Sequence, residues 1–261
     1  MIPQLFGDAG APLFGVYHPP AGAPARPVGV VLCHPGPQEY RQAHWIFRRL
    51  AGMLAAGGLH VLRFDYFATG DSAGDSHEGT LARWVADVGT AARELRDLSG
   101  VRRIALVGMR LGAAIAMRAS AGGLAVRDLV LWDPVVSGAA YLAQLESVQR
   151  AALRERRWPQ AAEVGPDELL GYPLRPALAA EIAAVDLLCE PAGAAERALL
   201  VCAGEDPRWE ALHARLRGGA PTAALVRVED PSLAEPAWHA DTLLAHAGSR
   251  AIATHLTGRS T

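Results

Sequence analysis

Six short apolar runs alternate with helical stretches along this 261-residue chain. The runs lack the polar–apolar alternation of a strand with one wet face, so we expect strands that are covered on both faces, as in a parallel sheet. Their alternation with helices predicts a doubly wound α/β sheet. The predicted strands are Val28–Cys33, His60–Phe64, Arg103–Val107, Asp128–Trp132, Ala198–Cys202 and Ala224–Val228, and the predicted helices are Gln42–Ala56, Thr80–Ser99, Leu111–Ala121, Arg208–Arg217 and Asp241–Leu256. The pattern also favours an antiparallel leading pair, Gln4–Gly7 and Leu13–His18.

One long segment, residues 137–195, interrupts this alternation. It is helical in pattern and contains five prolines. A structureless loop of that length is improbable inside a compact domain. We therefore expect a helical lid over the C-terminal edge of the sheet, with residues 1–136 and 196–261 forming the core.

Composition and charge narrow the class of protein. A formal net charge of −2 and a hydrophobic content of 51% indicate a globular chain, with neither nucleic acid nor a membrane as the expected partner. The three cysteines show no paired spacing, and we see no signal peptide, so the expected location is the cytoplasm. All 25 basic residues are arginines, so a single arginine becomes significant only through its position.

The position of one arginine, Arg110, makes it significant. The sequence Gly108-Met109-Arg110-Leu111-Gly112 follows the predicted strand Arg103–Val107 and opens the next helix. It resembles the G-x-S-x-G nucleophile elbow of α/β-hydrolases, with Arg110 in place of serine. Residues 33–38, Cys-His-Pro-Gly-Pro-Gln, resemble the oxyanion turn of that superfamily, and residues 63–74 resemble its D-x-x-G-x-G-x-S loop with one glycine replaced.

A narrower resemblance depends on two further segments, Leu131–Val136 and Gly171–Leu174. With them the chain is similar to small bacterial serine-aminopeptidase-like proteins that are associated with exosortase or biosynthetic gene clusters. The resemblance covers about residues 28 to 245. It implies an α/β-hydrolase fold but no particular activity, because this fold hosts many chemistries.

The superfamily order of nucleophile, acid and histidine implies the remaining catalytic positions. Asp206, with Glu205 close behind, follows the strand Ala198–Cys202 at the place of the acid, and His239 follows the last strand. An acid–histidine dyad would suit proton transfer near neutral pH. The alternative is that both acids cap the next helix and that His239 is an exposed loop residue.

Arg110 cannot act as a nucleophile, because its guanidinium stays protonated and has no usable lone pair. At a helix N-terminus, its planar cationic fork would instead form a receptor for a carboxylate, a phosphate or an enolate. The alternative is that Arg110 folds onto a local carboxylate, such as Asp133, and plugs the pocket.

Residue types also limit the oxyanion hole and the pocket. The prolines in the turn have no N–H group, so only Gly36 and Gln38 can donate from it, beside the Leu111 amide behind the elbow. His34 is either a second proton carrier or a structural histidine. The predicted pocket residues are His34, Asp133, Ser137, Tyr141 and Tyr172. No metal-ligand spacing or dinucleotide fingerprint occurs, so we expect no metal and no cofactor.

Three functions remain open. The first is a non-hydrolytic enzyme, of the cyclase, lyase or isomerase type, that acts on a small acyl or carbonyl metabolite in biosynthesis. The second is a catalytically inactive pseudo-hydrolase that serves as an accessory or binding protein. The third is an atypical ester or thioester hydrolase, or an acyltransferase. The expected partners are a small acyl or carboxylate substrate and either a second copy of the chain or a biosynthetic protein.

Overall fold

The computed structural model describes residues 1–154, 165, 167–230 and 246–258, apart from the side chains of Gln42 and His246. The strands are β1 (Ile2–Phe6), β2 (Leu13–His18), β3 (Val28–Cys33), β4 (His60–Phe64), β5 (Arg103–Met109), β6 (Val126–Trp132), β7 (Glu168–Leu169), β8 (Tyr172–Pro173), β9 (Ala195–Ala203) and β10 (Thr222–Val228). The helices are α1 (Pro37–Ala56), α2 (Leu81–Ser99), α3 (Leu111–Ala121), α4 (Gly138–Arg154), α5 (Pro176–Ala183), α6 (Arg208–Gly219) and α7 (His246–Thr257).

In the described part of the chain, the main sheet has eight strands in the order β1-β2-β4-β3-β5-β6-β9-β10. The pairs β1–β2 and β2–β4 are antiparallel, whereas every pair from β4 to β10 is parallel. Helices α1 and α7 cover one face, and α2, α3 and α6 contribute to the core on the other. All six residues of β3 are buried, as expected of a strand covered on both sides. The predicted doubly wound sheet is confirmed.

Helix α1 begins five residues before the start that we predicted at Gln42. Pro37 occupies the first turn, where its fixed φ angle suits a helix and its missing N–H group leaves no bond unmade. Glu39, also in the first turn, complements the positive end of the helix dipole. The oxyanion turn predicted at residues 33–38 is therefore partly the first turn of α1. For the last predicted helix, residues 241–245 lie outside the described residues, and α7 is described from His246.

The described residues between β6 and β9 form α4, the β7–β8 hairpin and α5. Helix α4 packs on α5, and α5 packs on α2. Gly138 allows the contact between α4 and α5, because a Cβ atom at this position would lie 1.6 Å from the carbonyl oxygen of Ile182. The hairpin turns through Leu170 (φ 55°) and Gly171 (φ 83°). In the described part of the chain, no helix combines the length and apolar character needed to cross a membrane.

Candidate functional site

Arg110 lies in a sharp turn between β5 and α3, with φ 52° and ψ −119°. Left-handed φ angles are uncommon for residues other than glycine, so this turn is strained. A Cβ atom on Gly108 would lie 2.3 Å from the carbonyl oxygen of Gly112, and one on Gly112 would lie 2.2 Å from that of Cys33. Both flanking glycines are therefore required by the close approach of β5, α3 and the end of β3.

The Arg110 side chain is buried and fully directed into the protein, with 6% of the residue exposed. Its Nε donates to Glu39 Oε1 at 2.9 Å, Nη1 to the Asp133 carbonyl oxygen at 3.3 Å, and Nη2 to Gln144 Oε1 at 3.2 Å. The guanidinium carbon also lies 5.6 Å from the centre of the Tyr141 ring. These contacts use three of the five guanidinium N–H groups, and the other two make no hydrogen bond to the described residues.

Glu39 is the ionic partner of Arg110. Its second oxygen, Oε2, accepts a hydrogen bond from the Tyr141 hydroxyl at 2.9 Å, and only 12% of its side chain is exposed. Burial alone would lower the pKa of Arg110, but the charge and hydrogen bond of Glu39, together with Tyr141 and Asp133, outweigh burial and raise the pKa. Burial, followed by the charge of Glu39, raises the pKa of Tyr141 well above its usual value. The three side chains thus form a buried network with no net charge.

Glu39 was missed in the analysis of the sequence. The available signal was a glycine, a proline and an acidic residue at positions 36, 37 and 39, which is typical of a helix start. That signal could have placed Glu39 in the first turn of α1, beside the predicted oxyanion donors.

Asp133, the carboxylate that we considered as a plug partner, accepts a hydrogen bond from Arg110 through its main-chain oxygen, and its charge also raises the pKa of Arg110. Its Oδ1 instead accepts a hydrogen bond from the Ala203 amide at 2.6 Å. Asp133 is 1% exposed and has a φ angle of 41°. It therefore ties the end of β6 to the end of β9 beneath the site.

A cavity of about 340 Å³ lies next to Arg110. The start of α4 contributes one side, and the loop from β9 to α6 contributes another. Four residues predicted for the site, besides Arg110, line it: Ser137, Tyr141, Glu205 and Asp206. Gln144, Arg208 and Trp209 line it as well, and their positions were not predicted.

Asp206 makes a local pair with Arg208. Its Oδ1 accepts from the Arg208 amide at 2.9 Å, and its Oδ2 accepts from Arg208 Nη2 at 2.6 Å. Partial burial would raise the pKa of Asp206, but the hydrogen bonds from Arg208 outweigh it and lower the pKa. This arrangement fits the capping role at the start of α6, whereas Glu205 is exposed on the cavity wall. His239 lies outside the described residues, so its pairing with an acid stays a prediction.

The predicted oxyanion donors stand at two helix starts that meet. Gly36 caps α1, Gln38 lies in its first turn, and Leu111 is the first residue of α3. A Cβ atom on Gly36 would lie 3.4 Å from Leu111 Cδ2 and 3.6 Å from the Tyr141 hydroxyl. Amides in the first turn of a helix have no partner within the helix. Both helix dipoles therefore favour negative charge at this junction.

Besides Asp133, two further predicted pocket residues do not line the Arg110 cavity. His34 lines a separate cavity of about 60 Å³ with Tyr40 and Asp65, and burial lowers its pKa. Its Nδ1 lies 2.7 Å from the Pro35 carbonyl oxygen. Tyr172, in β8, lines a cleft of about 210 Å³ that also contacts the first turn of α1.

Comparisons with known proteins agree on the fold. The sequence profile of the alpha/beta hydrolase family matches residues 30–256. A search of curated proteins gives no match. Among solved structures, the Pyrococcus furiosus esterase Pf2001 is 15% identical with a TM-score of 0.69, over 100% of this chain and 93% of the esterase.

Two other solved structures have comparable similarity. DcsB in complex with its substrate analogue is 14% identical, with a TM-score of 0.65 over 98% of this chain and 97% of DcsB. The bottromycin epimerase BotH in complex with bottromycin A2 is 19% identical, with a TM-score of 0.62 over the whole of both chains. At such identities the similarity shows the fold alone.

Proposed function

The chain belongs to the alpha/beta hydrolase family, and from this premise we propose that it is a non-hydrolytic enzyme of a small acyl or carbonyl metabolite. The reaction is of the cyclase, lyase or isomerase type. The observation that carries the proposal is the position of Arg110, which stands at the elbow, borders the 340 Å³ cavity and is held by three hydrogen bonds.

Held in this way, Arg110 suits electrostatic catalysis. Donors that are fixed before the reaction stabilise a developing oxyanion without reorganising during it. Two further Arg110 N–H groups, which make no hydrogen bond to the described residues, would serve this purpose, and the Leu111 amide stands one residue behind Arg110. In an isomerase or lyase, the anion to be stabilised is the enolate that forms when a base removes a proton beside a carbonyl group. BotH, a bottromycin epimerase of similar fold, supports the view that this fold is compatible with such chemistry.

We assign proton transfer to His239, oriented by Glu205 or Asp206. Glu205 is the better candidate of the two acids, because Asp206 is engaged by Arg208. We further propose that residues 137–195 act as the lid of the cavity. Ser137, Tyr141 and Gln144, at the start of this segment, line the cavity and support that role.

The test is proton exchange in deuterated water. Purified wild-type protein should exchange the α-hydrogen of a panel of small ketones, esters and thioesters, followed by NMR. Arg110→Met should lower the exchange rate by about 10²–10³, the usual effect of losing one oxyanion donor. Arg103→Met is the matched control, since Arg103 is half exposed and pairs with Glu196 on the surface. Equal exchange in wild type and Arg110→Met would refute the proposal.

The buried pair of Arg110 and Glu39 also favours a second candidate, an inactive pseudo-hydrolase that binds an acyl ligand or a biosynthetic partner protein. Here the ion pair simply fills the place of the nucleophile. This alternative predicts no turnover of any kind, and ligand or partner binding that survives Arg110→Met. Cleavage of activated esters by the wild type that is lost in His239→Ala would instead support an atypical hydrolase or acyltransferase.

A further inference from the structure

The contacts of Arg110 have a consequence for the kind of ligand that the cavity accepts. A free arginine at this place would attract a carboxylate or a phosphate from the cavity. Here the carboxylate of Glu39 already lies 2.9 Å from Arg110 Nε. A second anion would enter a site in which the charge of the Arg110 guanidinium is already paired.

We propose that Glu39 is a specificity-determining residue, which occupies the anion position at Arg110 and restricts the cavity to neutral carbonyl compounds such as ketones, esters, thioesters and amides. This inference rests on the proposed function, because it names the substrate class of the same site. It excludes preformed carboxylates and phosphates as the groups bound at Arg110.

Displacement of Glu39 by a ligand is unfavourable for two reasons. The side chain is 12% exposed, so its carboxylate would lose a charged partner without regaining water. It also holds the Tyr141 hydroxyl at 2.9 Å, so leaving would break a second hydrogen bond. A ligand carboxylate therefore competes with the Glu39 carboxylate, which belongs to the same chain and is already in place.

A neutral carbonyl avoids this competition and still gains from the site. Its oxygen accepts from the remaining Arg110 N–H groups in the ground state and accumulates negative charge only as the reaction proceeds. Fixed N–H donors stabilise that charge even when their own net charge is balanced, as the backbone amides of an oxyanion hole do. The Arg110–Glu39 pair thus discriminates against bound anions while keeping the donors that a transition state requires.

The experiment measures binding of two probes of equal size, hexanoate and hexanamide, by calorimetry at pH 7. Four proteins are compared: wild type, Glu39→Gln, Glu39→Gln/Arg110→Met, and the control Glu196→Gln at an exposed surface pair. The Gln side chain keeps the volume of Glu39, so a carboxylate has to reach Arg110 from the cavity rather than from a vacated space. Thermal unfolding of each protein, with and without hexanoate, shows which variants are folded.

Wild type and Glu196→Gln should bind hexanamide at least as tightly as hexanoate. Glu39→Gln should reverse the order, with a gain for hexanoate of at least tenfold and a rise in melting temperature on adding it. The double variant should lose that gain, since the unpaired guanidinium is gone. A folded Glu39→Gln without the gain would overturn the inference.

The remaining outcomes separate this inference from the proposed function. A wild type that already prefers hexanoate would overturn the inference and leave non-hydrolytic catalysis untouched. Failure of all four proteins to bind either probe would count against both, because the cavity beside Arg110 would then not be a ligand site. Loss of proton exchange in Arg110→Met, without any gain for hexanoate in Glu39→Gln, would uphold the function alone.

Discussion

Replacing either partner of the buried Arg110–Glu39 pair should destabilise the protein, whereas replacing both should cost far less than the two losses together. The pair is 2.9 Å apart, and its side chains are only 7% and 12% exposed. Arg110→Met leaves a carboxylate in a poorly solvated place, and Glu39→Gln leaves a guanidinium there. Removing one partner of a buried ion pair typically costs about 3–5 kcal/mol.

The double variant Arg110→Met/Glu39→Gln leaves no charge of the pair uncompensated. The loss in the double variant should therefore fall short of the sum of the two single losses by about 3 kcal/mol, the upper end of the coupling free energies of contacting residues. For a domain of this size, a loss of 3–5 kcal/mol corresponds to a fall in melting temperature of roughly 6–20 °C. Met matches the arginine stem in length. Like arginine, it has a Cβ atom, so the backbone strain of the turn is the same in the variant.

Urea unfolding, followed by circular dichroism, measures the free energy of each of the four proteins in this cycle. The exposed pair Arg103–Glu196 provides the control cycle with Arg103→Met and Glu196→Gln, for which a coupling of about 0–1 kcal/mol is expected. If the losses at Arg110 and Glu39 add within about 0.5 kcal/mol, the two side chains do not interact in solution and the buried ion pair does not hold the site.

Three further predictions concern the elbow, a buried histidine and the thiols. Gly112→Ala should lower the free energy of unfolding by about 1–3 kcal/mol or more, and with it the urea midpoint, because its methyl group would lie 2.2 Å from the Cys33 carbonyl oxygen. Gly52→Ala, whose methyl group would stand in open space, should not lower the midpoint. Equal midpoints for the two variants would contradict the steric argument. Burial lowers the pKa of His18 from 6.5 to about 4, so on acidification the imidazole is protonated in the unfolded chain before it is protonated in the folded protein. The free energy of unfolding should therefore fall as the pH drops from about 6.5 toward 4. His18→Gln should flatten this slope, and an unchanged slope would assign it to other groups. Burial raises the pKa of Cys33 to about 12, so its thiol should not react at pH 8 in the folded protein. A thiol reagent at pH 8 should label exposed Cys189 in the folded protein and all three cysteines after denaturation. Rapid labelling of all three before denaturation would show that the core opens.

Most of the sheet followed from local patterns. The bounds of β3, β4 and α3 agree with the prediction residue for residue, because each is set by a continuous apolar run or by adjacent glycines. The start of α1 did not follow, since the apolar periodicity begins only after the first turn. That turn is held by its capping chemistry, which periodicity does not detect.

The site could be predicted only where the backbone determines it. The position of Arg110 follows from two glycines that no other residue can replace in so tight a turn. Its ion pair with Glu39 joins residues 71 apart, and no local pattern reports such a contact. For His34 and Tyr172 the difficulty is different. His34 follows the end of β3, and Tyr172 lies in the short strand β8. The side of α1 on which each side chain lies depends on how the chain leaves the strand, which the sequence pattern does not show.

The elbow shows how a fold can change its chemistry without changing its shape. The turn is built by Gly108, Gly112 and the carbonyl oxygen of Cys33, and none of these requires a particular side chain at position 110. The same turn presents that side chain beside two helix N-termini, where negative charge is favoured. A serine there would attack a carbonyl group, whereas an arginine there has only hydrogen-bond donors to offer. Because a lone buried guanidinium would be costly, the arginine requires a carboxylate such as Glu39 within reach. The pairing that makes the arginine tolerable also decides that its remaining donors act on neutral groups, so the stability and the specificity of the site have one physical cause.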